Sequence, residues 1–168
     1  MKSGVAILSV MAGIWAGWGL YAAHVAQWAY AGAVIIALVP MALMTKRRFG
    51  PRTRDEERRV GRLVGLASFA EVVAIIVGVQ LLAHAGRPDL IVCLIAGVVG
   101  LHFLPLARWM PMPRYYASGL ALLIAACAGL VIPAEHRVLF VAGAASAILW
   151  LTAFSIVLGT PAMSPQTQ

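Results

Sequence analysis

Six apolar runs, each about as long as the ~20 residues needed to cross a bilayer, occupy most of this chain of 168 residues. They cover 4–23, 25–44, 63–83, 90–107, 115–132 and 138–158. A helix rising ~1.5 Å per residue spans the ~30 Å hydrocarbon core in such a run. Lipid offers the backbone no hydrogen-bonding partner, and the runs lack the alternation of barrel strands, so helices are predicted. Composition closes off a soluble fold. The chain is 62% hydrophobic and 11% charged, against roughly 25% charged in an average soluble domain. The expectation is an all-α polytopic membrane bundle, one integral membrane domain of six transmembrane helices. Short links make consecutive helices antiparallel, giving three hairpins.

The exception to the short links is the segment 45–62, TKRRFGPRTRDEERRVGR. It carries eight of the thirteen Lys and Arg residues and three of the six acids. A basic segment between two spans stays on the cytoplasmic side. With both termini on that side, Lys2, the eight basic residues of the segment, Arg108 and Arg114 lie inside, and only Arg87 and Arg137 lie outside. Eleven against two fixes an N-in, C-in expectation. Tyr21, Trp28 and Tyr30 then fall near the outer face, and Trp109, Tyr115 and Tyr116 near the inner one. The net charge of +7 is gathered at one membrane face and no recognition module accompanies it, so the expected partner is the bilayer and its anionic lipids, not nucleic acid. Lys46, Arg47, Arg48, Arg58, Arg59 and Arg62 are the expected lipid-contacting residues. Thr53-x-x-Glu56 has the form of a capping box and predicts a helical entry from Arg54 into the third span. The first run is too long for a signal peptide's apolar core and no cleavage site follows it, so it reads as an uncleaved span. The stretch 159–168 reads as a loose polar tail.

Few residues in the spans could carry chemistry. Glu71 is the one acid among them, ~12 Å along the third helix from Leu63. An ionisable group at such depth marks a functional site by default. Its neighbours Ala67, Ser68, Ala74 and Gly78 form a small-residue face on which another helix can pack. His102, in the fourth helix, lies ~9 Å from Arg108, and antiparallel pairing brings it within ~3 Å of Glu71 in depth. Pro105 frees the carbonyl of Leu101, and Pro40 that of Ile36. Glu71, His102, Pro105, Ser68 and Pro40 are therefore the candidates for a proton, ion or substrate site. Beside this stands a plainer reading, with Glu71 as a neutral interhelical hydrogen-bonding group and His102 bonded to a carbonyl at a proline kink.

His24, His84 and His136 close the odd-numbered helices. Three imidazoles could hold zinc, but a helix C-terminus favours histidine in any case, so no metal is assigned and no cofactor is expected. Cys93 and Cys127 lack metal or redox spacing and read as packing residues. Gly13-xxx-Gly17 and Gly61-xxx-Gly65 fit the close-packing motif of membrane helices. A faint repeat links Ala31–Ala42, Ala96–Ala107 and Ala142–Ala153, consistent with three hairpins from one unit.

Three function classes follow. The first is a small transporter or proton- or ion-coupled permeation protein using Glu71 and His102, which at this length requires a homo-oligomer. The second is a non-catalytic scaffold or stress-response protein that binds a partner or anionic lipid through the basic segment. The third, a membrane-embedded enzyme, finds no recognisable catalytic set. The stretch Gly100-Leu-His-Phe-Leu-Pro-Leu-Ala107, with the six-span layout, resembles a group of small bacterial inner-membrane proteins of unknown function. That resemblance implies a bacterial inner-membrane location and no activity. The three-hairpin layout is also similar to HdeD-like acid-resistance membrane proteins, in architecture alone.

Overall fold

The computed structural model describes residues 2–24, 28–45, 54–110 and 112–159. Within them the chain forms six α-helices: α1 Lys2–Ala22, α2 Trp28–Thr45, α3 Arg54–His84, α4 Ile91–Trp109, α5 Pro113–Val131 and α6 Ala134–Leu158, with a 3-10 turn at Pro88–Leu90 before α4. Five segments, Val5–Ala22, Arg58–His84, Pro88–Trp109, Pro113–Val131 and Ala134–Leu158, are long and apolar enough to cross a membrane. The α2 helix, 18 residues long and carrying Pro40, is also strongly apolar in sequence.

The breaks follow local chemistry. Gly86, at φ 67°, ends α3 in the left-handed region that a residue without Cβ enters freely. Arg87 N–H then reaches Leu82 O at 2.8 Å and Gly86 N–H reaches Ala83 O at 3.1 Å, the paired bonds of a Schellman motif. Pro113 opens α5 at a position where its missing N–H costs nothing. Pro133 precedes α6 and leaves Ile132 extended. The α3 helix begins at Arg54, where the entry was expected; Thr53 of the capping box lies outside the described residues.

Each hairpin packs on itself, and the strongest further contacts join α4 to α5 and α1 to α6. The α6 helix is the pillar, packing on α1, α2, α4 and α5. The α3 helix packs on α4 and the 3-10 turn, and none of its apolar stretch is fully buried. Small residues fill the centre, among them Ala12, Ala96, Ala142, Ala145 and Ala153, each 2% exposed or less. Large apolar side chains such as Ile14, Ile35, Phe69, Ile124 and Leu151 point outward. Water would penalise that arrangement; lipid accepts it, because close backbone approach, not burial of large groups, holds membrane helices together.

Close approach occurs at several glycines outside the two spaced pairs. A Cβ on Gly100 would lie 2.9 Å from Gly119 O, and one on Gly119 would lie 2.8 Å from Gly100 O, so α4 and α5 meet backbone to backbone. Gly78 admits the Leu94 side chain, and Gly129 admits Val141 and Cys93. By contrast Gly17, Gly61 and Gly65 face open space. The spacing of a glycine pair says nothing about which face of the helix meets a neighbour. Tyr115, in the first turn of α5, is buried and edge-on to Phe103 with ring centroids 5.4 Å apart, so its ring packs within the bundle.

Candidate functional site

Antiparallel pairing of α3 and α4 carries Glu71 and His102 to the same level. Glu71 Oε2 lies 3.5 Å from His102 Nδ1, with side chains 20% and 11% exposed. The small-residue face of α3 makes this possible, since Gly78 lets Leu94 of α4 approach one to two turns further along. Around the pair runs a groove of about 430 Å³. Ala67, Ala70, Ala74 and Val98 form its apolar walls, Leu101 and Pro105 lie beside His102, and Trp109 closes one end. The groove is open along its side and not sealed inside the bundle.

Beyond Trp109 the same face of α3 turns polar. Asp55, Arg58, Arg59, Arg62 and Leu63 line a second pocket of about 570 Å³ that shares Trp109 with the first. Of the expected lipid-contacting residues, Arg58, Arg59 and Arg62 are therefore gathered in one pocket. Lys46, Arg47 and Arg48 lie outside the described residues.

The other candidates divide. Pro105 belongs to the groove, as does Leu101, whose carbonyl it frees. Ser68 sits on α3 one turn from Glu71, half-buried, and does not line the groove. Pro40 is fully buried in α2, which packs on α1 and α6, away from the α3–α4 groove. Equal depth in the membrane does not put two prolines in one site when their helices occupy different sectors. The histidines at the helix ends remain separate. His24, at φ 51°, ends α1 in the left-handed region; His84 Nδ1 approaches its own helix's Gln80 O at 2.7 Å; His136 does not close α5 as expected but is exposed in the first turn of α6, which begins at Ala134. No group of three His, Cys, Asp or Glu side chains able to hold a metal occurs among the described residues. Cys93 is buried and Cys127 exposed, both as free thiols.

Arg137 escaped the sequence reading. It was assigned to an outer loop, but α6 begins at Ala134 and Arg137 is 7% exposed. Its Nε donates to Gly129 O at 2.8 Å and one terminal nitrogen to Ile132 O at 2.9 Å. Its other terminal nitrogen pairs with Asp89. Carbonyls at a helix C-terminus have no partner within the helix, and the guanidinium fork supplies one to the end of α5 while binding the turn before α4. Pro133 was the available signal, since a proline often stands at a helix start and would place Arg137 in the first turn of the sixth helix.

Long apolar helices, small residues inside and large ones outside define an α-helical membrane protein with an ionisable pair between two helices. The chain belongs to a family of unknown function, DUF7010, whose model matches residues 1–159. No curated protein and no solved structure matches it.

Proposed function

We propose that this membrane protein is a small proton- or ion-coupled permeation protein of the bacterial inner membrane, with both termini cytoplasmic, in which Glu71 and His102 exchange protons as a pair. The observation that carries the reading is their 3.5 Å approach inside an apolar groove. With Glu71 ionised and His102 neutral the pair bears one negative charge. One added proton brings the net charge to zero, whichever residue holds it. A net charge facing apolar walls draws in water or a cation; a neutral pair lets the groove close on lipid. Protons reach it from the end bearing Arg58, Arg59 and Arg62, past Trp109. The eleven-to-two division of basic residues supports that end as the cytoplasmic one. At this chain length a conducting path is completed by further copies of the chain, and no catalytic chemistry is assigned.

A second reading, a non-catalytic scaffold held at anionic lipid, draws on the pocket containing the three arginines. Proton flux separates the two. Wild-type protein reconstituted in vesicles containing a pH-sensitive dye is expected to dissipate a pH gradient, and Glu71→Gln to lose that activity while keeping its helix content. Gln preserves size and a hydrogen-bonding carbonyl but cannot carry the proton. Equal, measurable flux in both proteins would assign Glu71 to helix packing.

A further inference from the structure

The arginine pocket and the apolar groove lie in line. On α3 the lining positions 55, 58, 59, 62 and 63 lead into 66, 67, 70, 71 and 74, a continuous sequence of three- and four-residue steps along one helix face. On α4 Trp109 borders both cavities. From Arg62 to Ala74 this face runs ~18 Å, somewhat more than half of the ~30 Å hydrocarbon core. The cationic part is therefore followed, at about the depth of one leaflet, by an apolar part.

We propose that the α3–α4 face is a binding site for one anionic glycerophospholipid, its phosphate held by Arg58, Arg59 and Arg62 and one acyl chain laid in the groove beside Ala67, Ala70 and Leu101. Charge complementarity selects this occupant. Among the described lining residues three guanidinium groups stand against one carboxylate, that of Asp55, and guanidinium forks match phosphate oxygens. The groove walls are apolar and open sideways, so a chain enters directly from the bilayer. Trp109, with an apolar ring and an N–H, stands at the boundary of headgroup and chain, where tryptophan is favoured. This is a site for a single molecule, distinct from the diffuse attraction of a basic segment to a charged leaflet, and it does not depend on proton transfer at Glu71.

The test compares two changes that remove the same charge from the same end of the bundle. Arg62 lines the pocket, whereas Arg108, exposed in the last turn of α4, does not. Protein in vesicles of mixed phosphatidylglycerol and phosphatidylcholine is studied with brominated chains on one lipid or the other. Quenching of Trp109 is obtained by difference from Trp109→Phe. Each basic residue contributes ~1 kcal/mol, about fivefold, so brominated phosphatidylglycerol is expected to quench well over fivefold more effectively at equal mole fraction. Arg62→Gln should reduce that preference severalfold and Arg108→Gln should leave it in place. Native mass spectrometry of the same proteins should show retained anionic lipid in wild type and Arg108→Gln, and less in Arg62→Gln. Equal quenching by both lipids, or equal effects of the two substitutions in both measurements, overturns the proposal.

Discussion

Arg137 in α6 pairs with Asp89, 48 positions earlier, while bonding Gly129 O at the end of α5. One side chain thereby ties three separate pieces of the chain at the end of the bundle opposite the basic segment. Replacing it with Met keeps much of the volume but leaves Gly129 O and Ile132 O without that donor and Asp89 paired with Arg87 alone. Removing one partner of a buried, hydrogen-bonded ion pair costs about 3–5 kcal/mol, and Arg137→Met is expected to lower stability by about that much. Arg137→Lys should recover only part, because an ammonium cannot form the fork. Thermal unfolding in detergent gives the ranking; indistinguishable midpoints for all three proteins would remove the tie from the account of stability.

Gly100→Ala and Gly119→Ala place a methyl against backbone oxygen, which has no rotamer to yield. Each should cost roughly 1–3 kcal/mol and weaken the α4–α5 contact. Gly17→Ala and Gly65→Ala meet open space and should be neutral or slightly stabilising, since Ala is the better helix former by up to ~1 kcal/mol. The same melting assay checks both groups, and the reverse order would mean that the packed face of α4 has been misassigned.

If Glu71 and His102 act as one unit, their effects do not add. Glu71→Gln and His102→Gln should each abolish the pH-dependent flux, and the double variant should be no worse than either. Losses that are partial in each single variant and multiply in the double one would instead describe two independent sites.

Cys127 and Cys93 report the rotation of α5 and α4. Cys127 is exposed and Cys93 buried against α5 at Gly129. A small membrane-permeant alkylating reagent should therefore modify the folded protein once, at Cys127, and twice only after unfolding. Rapid labelling at Cys93 would contradict the α4–α5 packing.

Orientation depends on an imbalance large enough to survive damage. Changing Arg47, Arg48, Arg58 and Arg59 to Gln leaves seven basic residues at the predicted inner face against two outside. Reporter fusions at the loops should show unchanged topology. Inversion would transfer the orienting role from the small loops to the basic segment alone.

Helix positions and hairpin partners were legible because span length and short links constrain them strongly. Depth put Glu71 and His102 at one level, but their contact also depends on how both helices are rotated, which the sequence left open. Rotation and sector were not legible. Every face of these helices is apolar, so no polar stripe tells the core side from the lipid side. Hence Pro40 fell in a different sector from the pair, and the open faces of Gly17 and Gly61 and the burial of Tyr115 went unseen. Arg137 was missed because four extra residues of α6 turn a loop residue into a buried one.

The contact of α1 with α6 has a consequence for biosynthesis. Ser146 donates to Ala12 O at 2.9 Å across 134 positions, and Gly19 receives Ala142. In a chain inserted from its N-terminus, the first helix to enter the membrane waits for the sixth before its packed face is covered. Until then α1 presents Ser9, Ala12 and Trp15 to whatever lies alongside, with α2 as its partner from the native fold. Assembly is thus a ring-closing event at the end of translation, and a chain stopped before Ala134 should leave the first hairpin unanchored and open to degradation.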